Sequence, residues 1–344
     1  MRAEELLSKK RPDRKENVII NRFLFALCPL IIFAGVGRSQ AVSQKKSPTG
    51  KPQVDPYTIK VSVDMVVLSA TVRNHKGAPV SGLDKDDFQV YEDGVQQQIK
   101  YFSHEDIPVT VGLVVDNSGS MAPKLPDVIA AALAFARSSN PQDQMFVVNF
   151  NEHVSFGLPN STPFTDQPEV LRVALSRIKA DGQTALYDAL VAALEHLKAG
   201  NRDKKVLIVV SDGADNTSKH TLAQVMDMAA RSNAIIYSLG LFDPDDPDKN
   251  PGVLKRIDKA TGGETYLPES LQEVVPICQR IAHDIRNQYT LAYVPTNRSQ
   301  DGTFRSILIK AEARGRGRLV VRTRPGYNAP LKAQLNVAGQ GGHP

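Results

Sequence analysis

Apolar residues between positions 108 and 287 follow two alternating patterns. Near-continuous apolar runs such as Val109–Val115 and Lys205–Val210 are typical of strands buried on both faces. Between such runs lie segments with helical spacing, of which 184–197 has the clearest apolar stripe. This alternation predicts an α/β fold with a doubly wound, mostly parallel, Rossmann-like sheet. The predicted strands are 109–115, 145–150, 153–156, 205–210, 234–241 and 264–267, and the predicted helices are 127–137, 168–179, 184–197, 222–231, 254–260 and 271–287.

Two segments with a strand pattern flank this α/β part. Residues 57–103 are rich in apolar runs, and Asp93-Gly94 separates two of them as in a tight hairpin, because this dipeptide accepts positive φ angles. The strand pattern returns at 288–326. Since neither segment is large enough to bury a core alone, we expect the two to form one small β-sandwich-like domain. The α/β domain, residues 107–287, would be inserted into it.

The N-terminal residues 1–41 have the pattern of an export signal. A basic segment ending at Arg22 precedes the apolar run Phe23–Val36, which is shorter than the roughly 20 residues that span a bilayer and fits a signal-peptide core. Ser39 and Ala41 suit cleavage after Ala41. The alternatives are a retained anchor and a buried helix of a soluble protein. Cleavage would release the chain to the periplasm, cell surface or medium, with no membrane insertion.

Polar segments outside these elements offer little chemistry. Residues 42–56 are polar and contain prolines, which is typical of a linker, and residues 327–344 are expected to be a flexible tail. The aspartate-rich segment 243–248 resembles a calcium loop, but the required glycine is missing and Leu254 replaces the bidentate glutamate. A solvated loop is the preferred interpretation.

The overall charge does not indicate a nucleic-acid partner. The formal net charge is +5, but residues 1–41 contain eight Lys/Arg and four Asp/Glu. The rest of the chain holds 34 basic and 33 acidic residues, which leaves it almost neutral. The excess positive charge therefore lies in the leader, and the rest of the chain has no excess of basic residues that would indicate nucleic-acid binding.

Beyond the leader, Cys278 is the one remaining cysteine, so the mature chain has no internal disulfide. Cys278 continues a helical apolar pattern with Leu271, Val274 and Ile281. This spacing favours a core position, and a reactive thiol is the alternative.

Oxygen-bearing side chains follow two of the predicted strands and precede one predicted helix. These residues are Asp116, Ser118, Ser120, Thr184 and Asp212. Gly119, between the two serines, is expected to allow a sharp backbone turn. Doubly wound sheets bind ligands at the carboxyl ends of strands where the strand order reverses, and oxygen donors without nearby His or Cys favour a hard cation such as Mg²⁺ or Mn²⁺. A structural turn is the alternative, because an aspartate followed by two serines is common turn chemistry.

The full set resembles the metal-ion-dependent adhesion site of von Willebrand factor type A domains. That site has D-x-S-x-S, then a threonine after a short glycine loop, then an aspartate in S-D-G, and the resemblance covers residues 107–287. It implies that Ser118, Ser120 and Thr184 contact the metal directly or exchange with water. It also implies that Asp116 and Asp212 act largely through bound water.

The resemblance implies a binding protein that is not an enzyme. The metal would keep one open coordination position, and a carboxylate of a protein partner would fill it. The flanks DFQVYEDG at 87–94 and QYTLAYVP at 288–295 resemble exported VWFA-related proteins of acidobacteria. Two alternatives remain: a structural component of an exported envelope assembly, and a metal-dependent hydrolase. The sequence has neither H-x-x-x-H spacing nor G-x-S-x-G, which disfavours the hydrolase.

Overall fold

Strands and helices alternate through the middle of the chain, and strands without α-helices occur on either side. The computed structural model describes residues 65–177, 179–242 and 249–331. The strands are β1 (Val66–Asn74), β2 (Phe88–Glu92), β3 (Val95–Gln97), β4 (Ile99–Ser103), β5 (Val109–Asp116), β6 (Gln144–Phe150), β7 (Val154–Phe156), β8 (Lys204–Ser211), β9 (Ile235–Gly240), β10 (Thr265–Tyr266), β11 (Tyr289–Tyr293), β12 (Phe304–Ala311), β13 (Leu319–Arg322) and β14 (Gly326–Asn328). The helices are α1 (Leu125–Ser138), α2 (Pro168–Leu175), α3 (Leu186–Leu197), α4 (Leu222–Ser232), α5 (Pro251–Thr261) and α6 (Val274–Arg286).

Three expectations concern residues outside these ranges. The leader 1–41, the linker 42–56 and the aspartate-rich segment 243–248 all lie outside the described residues. The same holds for the part of segment 57–103 that precedes residue 65. The interpretations of these segments stay predictions.

The central sheet has six strands in the order β10-β9-β8-β5-β6-β7. All neighbours are parallel except β6 and β7, which form an antiparallel edge. β5 is buried at every position, as expected for a strand that is covered on both faces. The chain moves from β5 outward to β6, then returns to the other side of β5 as β8. The strand order therefore reverses between β5 and β8, and the predicted fold class is confirmed.

The helices pack in two rows that flank this sheet. In one row α1 contacts both α6 and α2, and in the other α4 contacts both α3 and α5. Each helix turns its apolar stripe inward; in α3 the stripe consists of Leu186, Leu190, Leu194 and Leu197, all buried. No helix in the described ranges is long and apolar enough to cross a membrane.

Two four-stranded antiparallel sheets combine strands from both sides of the α/β part. Their orders are β13-β1-β11-β4 and β14-β12-β2-β3. Both sheets contribute to one apolar core, in which Leu68 and Leu291 from the first sheet join Val90 and Ile309 from the second. Each sheet therefore contains strands that precede the α/β part and strands that follow it, in a sandwich-like arrangement.

The predicted hairpin at Asp93-Gly94 joins β2 and β3, which pair antiparallel. Asp93 and Gly94 have φ angles of 48° and 81°, so both residues are in the left-handed region that a two-residue hairpin turn requires. The sequence signal and the structure agree here because these two residues accept the φ angles of the turn, and Ser306 of β12 adds hydrogen bonds to Asp93.

Polar contacts connect the antiparallel sheets to the α/β part. Arg73 of β1 donates to Asp284 of α6 at 2.5 Å and to Glu264 at 3.0 Å. The amide nitrogen of Gln288 donates to Tyr237 on β9 at 3.0 Å and to Thr71 on β1 at 3.1 Å. Three of these contacts link residues about 200 positions apart in sequence, and Gln288 and Tyr237 are 51 positions apart, so no local pattern could have indicated them.

Two helices begin later than the sequence predicts. Thr184 precedes α3 because its backbone N–H donates to Asn216 and the N–H of Ala185 donates to the carbonyl of Asn151, at 2.9 and 2.7 Å. The predicted helix 271–287 is divided into a 3-10 turn, Leu271–Glu273, and α6. In both cases the residues predicted to form the first turn of the helix make other hydrogen bonds instead.

Strand β14 was not expected from the sequence. It pairs antiparallel with β12, and its residues lie where the sequence predicts the start of a flexible tail. Three residues are too few to show an alternating pattern. The strand exists because β12 offers it a free edge.

We expect Val72→Ala to lower the free energy of unfolding by about 2 kcal/mol, because Val72 lies in the core at 2% exposure. The control is Val67→Ala on the same strand, where the side chain is 54% exposed and the loss should be at most about 0.5 kcal/mol. Urea denaturation of both variants is the measurement. Equal losses would contradict the assignment of the inner face of β1.

Candidate metal centre

Two aspartates lie side by side at the carboxyl edge of the central sheet. Asp116 is the last residue of β5, and Asp212 directly follows β8. Because β5 and β8 are adjacent and parallel, their ends meet where the strand order reverses. Both side chains are buried, at 0% and 1% exposure. The structure therefore brings together the two carboxylates that the sequence singled out.

The loop after β5 turns its oxygen atoms toward one another. The backbone N–H of Ser118 donates to Oδ1 of Asp116 at 2.9 Å. The hydroxyls of Ser118 and Ser120 are 3.2 Å apart, which is hydrogen-bond distance. The alternating side chains of this loop thus converge, as the spacing predicted.

The chain turns at Gly119 as expected, but the turn does not require glycine. Gly119 does not have a positive φ angle, and a Cβ added there would meet nothing closer than the carbonyl of Gly182, at 3.5 Å. The chain turns through a 3-10 turn, Gly119–Met121, which does not require glycine. The glycines of the site with positive φ angles are Gly182 and Gly213, at 73° and 78°.

Asp212 joins the same hydrogen-bonded chain from β8. Its Oδ2 accepts a hydrogen bond from the hydroxyl of Ser120 at 2.8 Å, and its Oδ1 accepts one from the N–H of Ala214 at 3.1 Å. The hydroxyl of Ser211 donates to Oδ2 of Asp116 at 2.6 Å. Hydrogen bonds therefore connect four of the five predicted residues, with Ser211 as an additional member.

Thr184 lies on a third loop, which hydrogen bonds to the loop that follows β5. The N–H of Gly119 donates to the carbonyl of Gly182 at 3.0 Å, which ties the two loops together. The N–H of Thr184 donates to Oδ1 of Asn216 at 2.9 Å, and its carbonyl accepts the N–H of Asn216 at 3.0 Å. Within the described part of the chain, the Thr184 hydroxyl has no hydrogen-bond partner and remains available to a ligand.

Sequence reasoning missed Ser211 and Asn216. Ser211 stands directly before Asp212, and Asn216 follows four residues after it, so both belong to the segment that the motif already marked. The available signal was the polar run SDGADNTS at 211–218, whose side chains hydrogen bond to neighbouring segments. The pairing of Asn216 with Thr184 depends on tertiary structure and carries no spacing signature.

The electrostatics of the site fit a divalent cation. Among the described residues, no basic side chain forms an ion pair with Asp116 or Asp212. Burial raises the pKa of Asp116 to about 6, and the negative charge of Asp212 adds to that shift. Buried charges are costly unless they are compensated, and a bound cation would remove this cost.

The donor chemistry indicates which cation fits. Three hydroxyls and two carboxylates form a set of hard oxygen donors, which suits Mg²⁺ or Mn²⁺. The described residues contain no group of three or more His, Cys, Asp or Glu side chains with metal-binding geometry. The candidate site is not such a group, because three of its five side chains offer hydroxyl oxygens and two offer carboxylates.

Cys278 lies in the core, as its spacing predicted. The side chain is 2% exposed on the inner face of α6, and burial raises the pKa of its thiol to about 12. Reactive cysteines need an accessible thiolate, which this position does not provide.

Comparison with known proteins identifies the class of the α/β part. Residues 111–214 match the family model of the von Willebrand factor type A domain, and this segment is a domain of that type. All five candidate residues fall within it. A Synechocystis protein, sll0103, is 22% identical over 184 residues, which cover 53% of this chain and 42% of that protein. The chain thus spans less than half the length of this curated relative.

Similar solved structures include two von Willebrand factor domains. One is the vWF domain of the type V pili tip protein Mfa5 from Porphyromonas gingivalis, with 13% identity, a TM-score of 0.45, and coverage of 52% of this chain and 95% of that one. The other is a von Willebrand factor type A protein from Catenulispora acidiphila, with 13% identity, a TM-score of 0.46, and coverage of 78% and 74%.

We expect Mg²⁺ to raise the melting temperature of the protein, because the cation compensates two buried carboxylates. At about 100 times its dissociation constant, a ligand adds about 2.7 kcal/mol to the free energy of unfolding. Asp116→Asn should abolish this gain, whereas Asp181→Asn, an exposed change on the neighbouring loop, should keep it. Thermal unfolding with and without magnesium is the measurement, and an equal gain in both variants would refute the site.

Cys278 is expected to resist iodoacetamide in the folded protein at about pH 8, and to react at least about tenfold faster in guanidinium chloride. Burial both blocks access and raises the pKa of its thiol. Peptide mass mapping separates Cys278 from Cys28. Similar rates in the folded and unfolded protein would show that α6 does not bury this thiol.

Proposed function

We propose that this chain is an exported protein-binding module that captures its partner through a divalent cation, Mg²⁺ or Mn²⁺. The residues that would hold the cation are Asp116, Ser118, Ser120, Thr184 and Asp212. The observation that carries the proposal is a pair of buried carboxylates surrounded by hydroxyls, with no basic side chain paired to either carboxylate in the described chain. The leader, which lies outside the described residues, is the basis for export.

The protein's own groups hold these oxygen atoms in place before any ligand arrives. Asp116 accepts hydrogen bonds from the Ser118 N–H and the Ser211 hydroxyl, which fix both of its oxygens. Asp212 is fixed in the same way by Ser120 and Ala214. A site that is organised in advance loses less entropy when it binds a ligand. When bound, the cation would supply a coordination position open to an oxygen of the partner.

The partner's group is proposed to be a carboxylate of an Asp or Glu side chain. The hydroxyls of Ser118, Ser120 and Thr184 are neutral donors, while Asp116 and Asp212 would act largely through water. An inner shell of neutral oxygens leaves much of the cation's charge uncompensated, and Mg²⁺ has about six ligands in octahedral geometry. Contacts between ionised groups are roughly twice as strong as neutral ones, which favours a carboxylate over an amide.

Binding is a better interpretation than catalysis for this set of residues. A hydrolase that uses metal-activated water needs a positioned general base. Among the described residues, the hydrogen-bond partners of these side chains are hydroxyls, backbone N–H groups and, for Ser120, the carboxylate of Asp212, with no histidine or lysine. The two aspartates are the acid–base groups here, and both are assigned to the cation.

Metal removal separates a binding site from a purely structural site. For a binding module, we expect the metal-free chain to stay folded at room temperature and to lose its partner. A magnesium-dependent pull-down from native envelope material identifies the partner, and circular dichroism monitors the fold. A metal-free chain that unfolds, or that still binds the partner, would support a structural role for the metal.

Two threonine variants sharpen this experiment. Thr184→Val removes a proposed ligand while keeping the side-chain shape, so magnesium-dependent partner binding should fall by about tenfold or more. Thr290→Val is the matched control, because Thr290 lies on β11 in the antiparallel sheets, and its hydroxyl forms no hydrogen bond within the described chain. Replacing the acidic residues of the partner with neutral ones, singly and together, then tests whether a carboxylate of the partner binds the cation. Full magnesium-dependent binding after all of these substitutions would exclude a carboxylate ligand.

A further inference from the structure

A second candidate site lies at the opposite edge of the central sheet. A cavity of about 330 Å³ opens where the end of α5 and the start of β10 meet β13. Its volume falls in the range of small-molecule sites, which occur preferentially between domains. Because β10 is parallel to β9 and begins at this edge, the cavity is on the side of the sheet away from Asp116.

Basic side chains from two elements line this cavity. Lys255 and Lys259 are one helical turn apart on α5, and Arg322 comes from β13. Both lysines are exposed, and neither forms an ion pair or side-chain hydrogen bond within the described chain. Three positive groups therefore surround a space that is large enough for a small molecule.

The two acidic side chains of the cavity do not balance this charge. Glu264 is shared between Arg73 and Arg322, with 2.9 Å between its Oε2 and the Arg73 guanidinium. Asp258 is 1% exposed and accepts hydrogen bonds from Ser238 and Thr265. Burial raises the pKa of Asp258 well above its usual range, which reduces its negative charge near neutral pH. The cavity remains net positive.

Two residues that line the same cavity, Arg322 and Thr323, carry hydrogen-bond donors that the described structure does not use. Nε and Nη2 of Arg322 and the hydroxyl of Thr323 are buried without a partner in the described structure. Buried donors without partners are rare and costly. The carbonyls at the end of α5 do not satisfy them, since those of Asp258 and Lys259 accept the N–H groups of Gly263 and Gly262.

We propose that this cavity binds a small molecule through a phosphate or carboxylate group. Lys255 and Lys259 supply positive charge from α5, and Arg322 with Thr323 supplies hydrogen-bond donors from the antiparallel sheet. A bound oxyanion contacts both the α/β part and the antiparallel sheets. Occupancy consequently stabilises the folded chain against unfolding.

The test uses the whole chain dialysed free of metal, so that the cation site does not contribute. Phosphate, sulfate and acetate are compared with chloride at equal ionic strength by thermal unfolding and calorimetry. At least one oxyanion is expected to raise the melting temperature above that in chloride. Saturable binding of phosphate and sulfate in calorimetry identifies a tetrahedral group, and saturable binding of acetate identifies a carboxylate. A higher melting temperature without saturable binding reflects the general stabilisation that these salts give to folded proteins, and overturns the proposal. No response to any of the three overturns the proposal and leaves the cation site untouched.

Variants on α5 locate the response. The double variant Lys255→Gln/Lys259→Gln should bind the anion roughly tenfold more weakly, as expected for two exposed charge contacts. Arg256→Gln is the matched control, because Arg256 is exposed on the same helix and does not line the cavity. An unchanged response in the double variant, or an equal loss in the control, would overturn the assignment.

Discussion

The burial of two like charges at neighbouring strand ends is the constraint on which this structure depends. Pairing β5 with β8 in parallel register forces Asp116 and Asp212 to the same edge of the sheet. Neither carboxylate has a basic partner among the described side chains, and burial raises the pKa of Asp116 to about 6. Removing a carboxylate from water is costly, so an arrangement with two of them at one point is stable only when something compensates them. In the proposed site a hard cation would do so, and the hydroxyls would complete its shell.

The loops around this edge are joined to one another as well as to the sheet. The N–H of Gly119 donates to the carbonyl of Gly182, and Asn216 hydrogen bonds to both the backbone N–H and the carbonyl of Thr184. Gly213 is required at its position, since a Cβ there would lie 2.4 Å from the carbonyl of Asn250. The three loops therefore keep one arrangement, in which backbone contacts set the positions of the proposed ligand oxygens. Such preorganisation would favour the proposed binding, because little ordering would remain when a partner arrives.

Sequence patterns were informative wherever structure depends on neighbouring residues. The apolar runs of β5 and β8 predicted strands buried on both faces, and the alternation at 116, 118 and 120 predicted converging oxygens. The turn expected at Gly119 is present, but it does not depend on glycine, because a 3-10 turn makes the bend without a positive φ angle. Asn216 and the cavity beside Arg322 could not be foreseen. The Asn216 contact and the cavity both depend on segments that come together only in the folded chain, and the local spacing of residues does not predict such contacts.

The contact between Arg73 and Asp284 shows how the antiparallel sheets are held on the α/β part. Asp284 is almost fully buried on α6, with a side chain 1% exposed, and Arg73 lies 2.5 Å from it. A buried pair of this kind adds little net stability, because desolvation of both ions offsets their attraction. Loss of Arg73, however, leaves the Asp284 carboxylate buried without a basic partner, whereas Arg73 still has Glu264 when Asp284 is lost. The pair therefore selects one arrangement of the sheets against α6 more than it strengthens the fold. Glu264 forms ion pairs with both Arg73 and Arg322, so the same network of charges continues to the basic cavity.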